Sequence, residues 1–214
     1  MTVTSALVSF AAVAALLTIV PGLDTAYVLR TAIVGGRRAA FAAAFGIGTG
    51  SLAWGAAAAL GVSALLTAST VAYTALRVAG ALYLGWLGVA LIRSTLARPR
   101  PAAGTEAEAP VRGEHGAWRA WRRGVLTSLL NPKVGAFYVA VIPQFLPEHV
   151  PHLVMGLALA LVHNAEGMLW FTVLILGAHA VRGWLRRPVV GRVIDRVTGT
   201  ALIGFGVKLA ASPK

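Results

Sequence analysis

In LLTIVPGLDTAYVLRT, residues 16–31, Pro21 and Gly22 interrupt an apolar run. Proline has no amide hydrogen, so it cannot continue a helix without the loss of a backbone hydrogen bond. Asp24 follows closely after the interruption. Inside a membrane, irregular backbone is tolerated only where it faces protein or a water-filled cavity. The stretch therefore predicts a broken helix that opens a polar site.

The composition indicates a membrane protein. Of the 214 residues, 57% are hydrophobic and 12% are charged, which is too few polar residues to cover the surface of a soluble domain of this length. No charged side chain occurs from Ala39 to Leu76, and several apolar stretches exceed the roughly 18 residues that mark a membrane span. The sequence therefore predicts an all-α polytopic protein of the cytoplasmic membrane.

Six apolar elements are separated by connections of alternating composition. The connections 30–39, 93–123 and 181–196 are rich in arginine, whereas those near 67–70 and 147–152 lack Lys and Arg. Because basic residues are retained on the cytoplasmic side, we expect the arginine-rich connections in the cytoplasm and both termini outside. The net charge of +12 follows from this placement, so we expect no nucleic-acid partner. The predicted spans are 5–29, 40–66, 70–92, 124–146, 150–180 and 197–211. In an alternative interpretation, the first or the last of these elements is re-entrant and does not cross the membrane.

A linker divides the chain into two halves. Residues 94–116 combine Pro, Ala, Gly and mixed charge with almost no aliphatic side chains, so they cannot bury a core. We therefore predict a first membrane half (1–93), a cytoplasmic linker (94–123) and a second membrane half (124–214). An odd number of spans in each half would place the halves in opposite orientations, as in a 3+3 inverted repeat. Each half also opens with a helix broken by proline.

Polar groups inside the apolar elements are candidate site residues. A charged side chain near the bilayer centre costs about 2.5–3.5 kcal/mol on insertion scales, so it persists where it finds a partner or lines a wet path. The predicted substrate-binding residues surround the two prolines, and a predicted proton-coupling pair lies in the fifth element. They are Pro21, Gly22, Asp24, Thr25, Asn131, Pro132 and Lys133 for the substrate, and His163 and Glu166 for protons.

Each candidate also has a purely structural interpretation. Asp24 could snorkel towards Arg30, and Lys133 could reach the cytoplasmic surface on its long stem. His163 and Glu166 share a helix face and could form hydrogen bonds between helices. They lack a third ligand for a metal, and the chain has no cofactor motif, so we expect neither a metal nor a cofactor.

Glycines in the second and third spans predict close helix packing. Small residues allow the backbones of two helices to approach in lipid, where there is no hydrophobic force between them. We favour packing over a glycine-lined path for the substrate. The residues are Gly46 and Gly50, in GxxxG spacing, and Gly80, Gly85 and Gly88.

Three motifs together resemble the lysine-exporter (LysE/RhtB) family of bacterial amino-acid exporters. They are PGLD at 21–24, GGRRAAFAAAFGIGTG at 35–50 and RRGVLTSLLNPKVGAFYVAVIPQF at 122–145. The family's usual PGPD reads PGLD here, with Leu23 in place of the second proline. The resemblance covers nearly the whole chain and implies efflux of amino acids or similar small metabolites, driven by the proton motive force.

We expect Asp24 and Lys133 to hold the charged ends of a zwitterion, and Glu166 to carry the proton. The expected partners are an amino acid, protons and the lipid bilayer, and a homo-oligomer is compatible with the sequence. Efflux of metal cations or drugs is the alternative, although the chain lacks the inward carboxylates or aromatic cavity that these cargoes favour. An enzyme is disfavoured because no nucleophile motif, ligand cluster or cofactor motif is present. A helper subunit would gain nothing from charge inside the membrane.

Overall fold

Every regular element in the described part of the chain is helical, which confirms the predicted all-α class. The computed structural model describes residues 1–68, 70–96, 116–178 and 188–211. The helices are α1 (Val3–Ile19), α2 (Leu23–Val34), α3 (Gly36–Ala68), α4 (Thr70–Ser94), α5 (Ala117–Leu129), α6 (Pro132–Val141), a 3₁₀ turn (Ile142–Phe145), α7 (His152–Leu176) and α8 (Pro188–Ala211).

Two of the predicted spans are bent pairs of helices. α1 and α2 meet at 57° around Pro21 and Gly22, and α5 meets the α6–3₁₀ segment at 56° next to Pro132. Gly22 is the N-cap of α2, and Asn131 caps α6 by accepting a hydrogen bond from the amide of Lys133. Both predicted proline breaks are confirmed. Pro132 is the first residue of α6, where proline is favoured, and Pro21 lies between the end of α1 and the N-cap of α2.

The helices are consistent with a protein that crosses the membrane several times. By length and composition, α7 and residues Gly36–Gly61 of α3 can each span a bilayer, and the number rises to four if each bent pair counts as one span. Among the described residues, α4 and α8 do not reach this criterion. α8 carries Arg192, Asp195 and Arg196 in its first half, which lowers its hydropathy. The total of about six spans, the orientation of the termini and the inverted repeat stay predictions.

The connection predicted at 30–39 is a single tight turn, and the prediction of a longer loop there was wrong. α2 continues to Val34 and α3 starts at Gly36. Gly36 adopts a φ of +77°, which a residue with a Cβ avoids, and this allows the chain to reverse without a loop. Arg37 and Arg38 therefore lie in the first turn of α3.

The second half starts earlier than hydropathy indicates, because residues 117–123 of the predicted linker belong to α5. This segment alternates arginine with Trp118 and Trp121, whose rings stack with centroids 4.8 Å apart. Arginine and tryptophan together are typical of a membrane interface. A stripe of small residues at helical spacing could have indicated this helix from the sequence. It consists of Ala120, Gly124 and Ser128, which are buried in the structure. The remainder of the linker, 97–115, lies outside the described residues.

The last predicted element also begins earlier, because α8 starts at Pro188 instead of residue 197. The connection predicted at 181–196 is thus helical from residue 188 onward, and its earlier part lies outside the described residues. Proline is favoured at the first position of a helix. The arginines that follow Pro188 lower the local hydropathy, so the hydropathy pattern did not indicate that the helix starts there.

α3 is the central helix of the bundle. It packs on α5 and α7 along much of its length and on α2 near its start, while α4 packs mainly on α8. Aromatic rings from four elements pack against one another. Phe10 of α1 lies 6.0 Å from Phe137 and 5.6 Å from Phe145 between ring centroids. Phe145 in turn stacks on Phe205 of α8.

Close backbone packing at the glycines is confirmed for four of the five predicted positions. A Cβ built on Gly88 would lie 2.5 Å from the carbonyl oxygen of Gly199, so α4 and α8 touch through their backbones. A Cβ on Gly85 would meet nothing within 4 Å, so the prediction was wrong there. The other positions that a Cβ would crowd are Gly46 against Trp121, Gly50 against Ser128 and Gly80 against Ala140.

Gly88→Ala is expected to destabilise the protein by about 1–3 kcal/mol, because overpacking a tight interface forces the two helices apart. Gly85→Ala on the same helix is the matched control and should be neutral or stabilising, since alanine favours helix more than glycine does. Thermal unfolding of both variants in detergent would measure the difference. Equal unfolding temperatures would contradict the close contact with α8.

Candidate functional site

A cavity of about 440 Å³ lies where the two broken spans meet α3 and α7. Its wall includes residues from all three stretches that the sequence singled out. The predicted residues on it are Gly22, Asp24, Thr25, Asn131, Lys133 and His163. Pro21, Pro132 and Glu166 are not part of this lining. The two prolines shape the cavity by ending helices, whereas Glu166 lies on another side of α7.

At the break around Pro21, the side chain of Lys133 from the other broken span donates hydrogen bonds to backbone carbonyls. In a continuous helix the carbonyl of Leu17 would accept a hydrogen bond from residue 21, but proline has no amide hydrogen to donate. The Lys133 ammonium donates to this carbonyl at 3.2 Å and to the carbonyl of Val20 at 3.1 Å. The lysine is half-buried and lines the cavity. It therefore does not extend to the cytoplasmic surface.

The break at Pro132 is closed in a similar way. The carbonyl that loses its partner there belongs to Ser128, four residues earlier. The indole nitrogen of Trp54 on α3 donates to this carbonyl at 3.3 Å, and the amide of Asn131 donates to it at 3.2 Å. The side-chain amide of Asn131 is buried and caps α6. Each proline break thus receives a side-chain donor from another helix.

Asp24 places a carboxylate at the positive end of a helix dipole. It lies in the first turn of α2, where anions are stabilised by the free backbone amides. Its polar neighbours are the Asn131 side chain and the Lys133 ammonium. Its Oδ1 atom is buried and has no hydrogen-bond partner among the described residues. Such an oxygen can accept a hydrogen bond from a bound molecule.

The α7 wall of the cavity contains two polar side chains in succession. The Nδ1 atom of His163 lies 2.9 Å from the hydroxyl of Tyr138 on α6. The Asn164 Nδ2 group donates to the carbonyl of Gly48 on α3 at 2.9 Å. The oxygen of the same side-chain amide takes no part in this contact. The histidine is thus joined to the broken span and the asparagine to the central helix.

Several cavity residues had no predicted role. Asn164 was recognisable as a polar residue beside His163 in an apolar helix. Ser51 could not be recognised from the sequence, because a single serine hydroxyl in an apolar helix usually bonds to its own backbone. The hydroxyls of Thr18 and Thr49, which also line the cavity, do bond to the carbonyls four residues before them.

Glu166 lies one turn beyond His163 but outside the cavity lining. Its Oε2 atom is buried without a hydrogen-bond partner in the described part of the protein. The same holds for the indole nitrogen of Trp170, four residues later on the helix. The Glu166 carboxylate and the Trp170 indole are therefore a second place, among the described residues, where buried polar atoms have no hydrogen-bond partner. No cluster of three or more His, Asp or Glu in the described ranges could hold a metal.

Comparison with known proteins identifies the chain's relatives. The LysE type translocator family matches residues 15–212. A threonine efflux protein of Escherichia coli (strain K12) is 30% identical over 90% of this chain and 91% of its own length. A homoserine/homoserine lactone efflux protein of Salmonella typhi is 28% identical, over 92% of each chain. A membrane protein of Bacillus subtilis (strain 168) is 29% identical over 96% of this chain and 99% of its own. No solved structure matches significantly.

These matches agree with the three motifs and with the helical architecture. Members of the family are transporters and not enzymes, so the prediction of a transporter is confirmed. The apolar helices and the membrane location of the relatives place the protein in the cytoplasmic membrane as a multi-pass protein. The chain belongs to the LysE type translocator family.

Proposed function

We propose that the protein exports amino acids or similar small metabolites, and that the 440 Å³ cavity is the binding site. The observation that carries this proposal is the buried oxygen of Asp24, which has no hydrogen-bond partner in the described part of the chain, in a cavity that Lys133 also lines. A cavity of this size falls within the range typical of small-molecule sites. Opposite charges in one small cavity suit a ligand that itself carries both charges.

The cavity favours a zwitterion in one orientation. The ligand's ammonium would donate to Asp24, since an ionised donor forms the stronger hydrogen bonds with a carboxylate. Its carboxylate would lie towards the backbone amides at the start of α2, the positive end of that helix dipole. A side-chain N–H of Asn131, whose oxygen caps α6, and the side-chain oxygen of Asn164 then remain for the ligand's side chain. The proposed substrate-binding residues are thus Asp24, Thr25 and Asn131, with Lys133 beside them on the cavity wall and Gly22 providing close backbone access.

The relatives favour a small, neutral cargo. Two of them are named as efflux proteins for threonine and for homoserine or its lactone. The cavity has one carboxylate and one ammonium, so it provides no second carboxylate for the side chain of a basic amino acid. We therefore propose a small neutral amino acid as the first class to test.

Proton antiport supplies enough free energy for this export. Moving a neutral amino acid against a 100-fold gradient costs about 2.7 kcal/mol. One proton that enters through about 150 mV supplies about 3.5 kcal/mol. One proton per molecule would therefore suffice. We propose that His163, at the cavity wall, and Glu166, one turn further along α7, carry it.

The first experiment is an export assay in cells that lack their own amino-acid exporters. Cells with and without the protein are loaded with amino acids from a dipeptide mixture, and the medium is followed over time. We expect one or a few small neutral amino acids to appear faster when the protein is present. Identical release of every amino acid would contradict the proposal and direct the next test to metal cations or drugs.

A further inference from the structure

The break in the first span deprives the backbone carbonyls of Leu17 and Val20 of their helical partners. In a continuous helix, Leu17 and Val20 would accept hydrogen bonds from residues 21 and 24. Pro21 has no amide hydrogen, and Asp24 belongs to the new helix, which begins with the bond from Ala26 to Gly22. Because the hydrocarbon region holds no water, such groups need a donor from the protein or from a water-filled cavity.

Lys133 supplies that donor from the opposite half of the chain. Its ammonium lies 3.2 Å from the Leu17 oxygen and 3.1 Å from the Val20 oxygen. It also lies against the start of α2, since a Cβ built on Gly22 would be 3.8 Å from the same nitrogen. The ammonium thus bridges the end of α1 and the beginning of α2.

We propose that Lys133 is a positioning residue, whose ammonium closes the Pro21 break and thereby fixes the start of α2 and the carboxylate of Asp24. Its effect on the substrate then passes mainly through the backbone of the broken span. Two of its three hydrogens are engaged by carbonyls, so direct contact with a ligand is left to one. Trp54 occupies the equivalent place at the Pro132 break, where it donates to Ser128 at 3.3 Å.

A labelling experiment tests this proposal without a substrate. The chain contains no cysteine, so a single cysteine reports on one position. Thr25→Cys places it on α2, and Ser51→Cys places a control on α3. Both positions are buried and line the cavity. The reaction rate with a small thiol reagent is measured in each background.

We expect Lys133→Met to raise the labelling rate of the cysteine at position 25 about tenfold or more, because two charge-assisted hydrogen bonds are lost. The rate at position 51 should change less than about twofold, and Lys133→Arg should keep both rates low because it retains charge and donors. An unchanged rate at position 25 would overturn the proposal. So would an equal increase at both positions, since that would report a general loosening of the fold.

A transport measurement separates positioning from direct binding, and this part alone rests on the proposed function. The transported amino acid is compared with its amide, which lacks the carboxylate charge. A positioning role predicts that Lys133→Met raises the KM for both compounds by a similar factor. A selective loss for the amino acid would instead identify Lys133 as a direct carboxylate ligand. If the wild-type protein exports neither compound, the proposed function fails while the labelling result still stands.

Discussion

Asp24→Asn is expected to reduce amino-acid export by about thirtyfold or more at equal protein abundance. The substitution keeps the size of the side chain but removes the charge that receives the ligand's ammonium. Truncating or neutralising one partner of a buried charge pair typically costs about 2–5 kcal/mol, and each 1.4 kcal/mol corresponds to about tenfold in affinity. The reason to expect a value in this range is the buried Oδ1 atom, which has no hydrogen-bond partner within the ranges that the structure describes.

Asp195→Asn is the matched control for this prediction. Asp195 lies on α8 and accepts a hydrogen bond from Ser94 at 3.4 Å, and it is not part of the cavity lining. Export should therefore stay within about twofold of wild type. The measurement is the initial rate of release from loaded cells, normalised to protein in the membrane. Equal rates for Asp24→Asn and wild type would show that the substrate does not bind at this carboxylate.

The positions of the two breaks were predictable because proline acts locally. A missing amide hydrogen and a fixed φ change the helix at that residue whatever surrounds it. The coincidence of Pro21 with Asp24, and of Pro132 with Asn131, therefore indicated two polar breaks before any packing was known. That both breaks open on one cavity also follows from the resemblance to a transporter, in which half-helix ends surround the substrate.

The donors that close the breaks were not predictable from sequence. Lys133 reaches the carbonyl of Leu17 more than a hundred residues away along the chain, and Trp54 reaches Ser128 from a different helix. Such pairs depend on how the helices pack. The packing is set by small residues such as Gly46 and Gly124, whose exact partners a single sequence does not specify. The helix starts at Ala117 and Pro188 were missed because arginine lowers hydropathy in interfacial turns.

Glu166 illustrates a different limit. The spacing to His163 places both on neighbouring parts of α7, yet only His163 lines the cavity. A helix face spans a wide arc, and sequence spacing alone does not say which edge of that arc meets the neighbouring helices. The distinction matters because His163 can contact a ligand in the cavity, whereas Glu166 can exchange protons with the cavity only through His163.

Glu166→Gln and His163→Gln are both expected to abolish accumulation driven by a pH gradient while exchange of the substrate without a gradient continues. Neither glutamine side chain can bind or release a proton, so transport would lose its coupling and reach only equal concentrations on the two sides. Coupling to one proton at about 150 mV supports an accumulation of more than a hundredfold. The expected loss is therefore of about two orders of magnitude, larger than the effect of an ordinary packing change.

Reconstituted vesicles allow the two activities to be measured on the same sample. Counterflow of labelled substrate reports binding and movement, and uptake after a pH jump reports coupling. His152→Gln is the matched control, because His152 lies at the start of α7, within 2.8 Å of Ser63, and outside the cavity lining. Full accumulation by Glu166→Gln together with its loss in His163→Gln would remove Glu166 from the proton path and leave His163 as the carrier. Full accumulation by both variants would contradict the assignment of the proton to α7, because the step would then have to use a carboxylate elsewhere, with Asp24 the remaining candidate on the cavity wall.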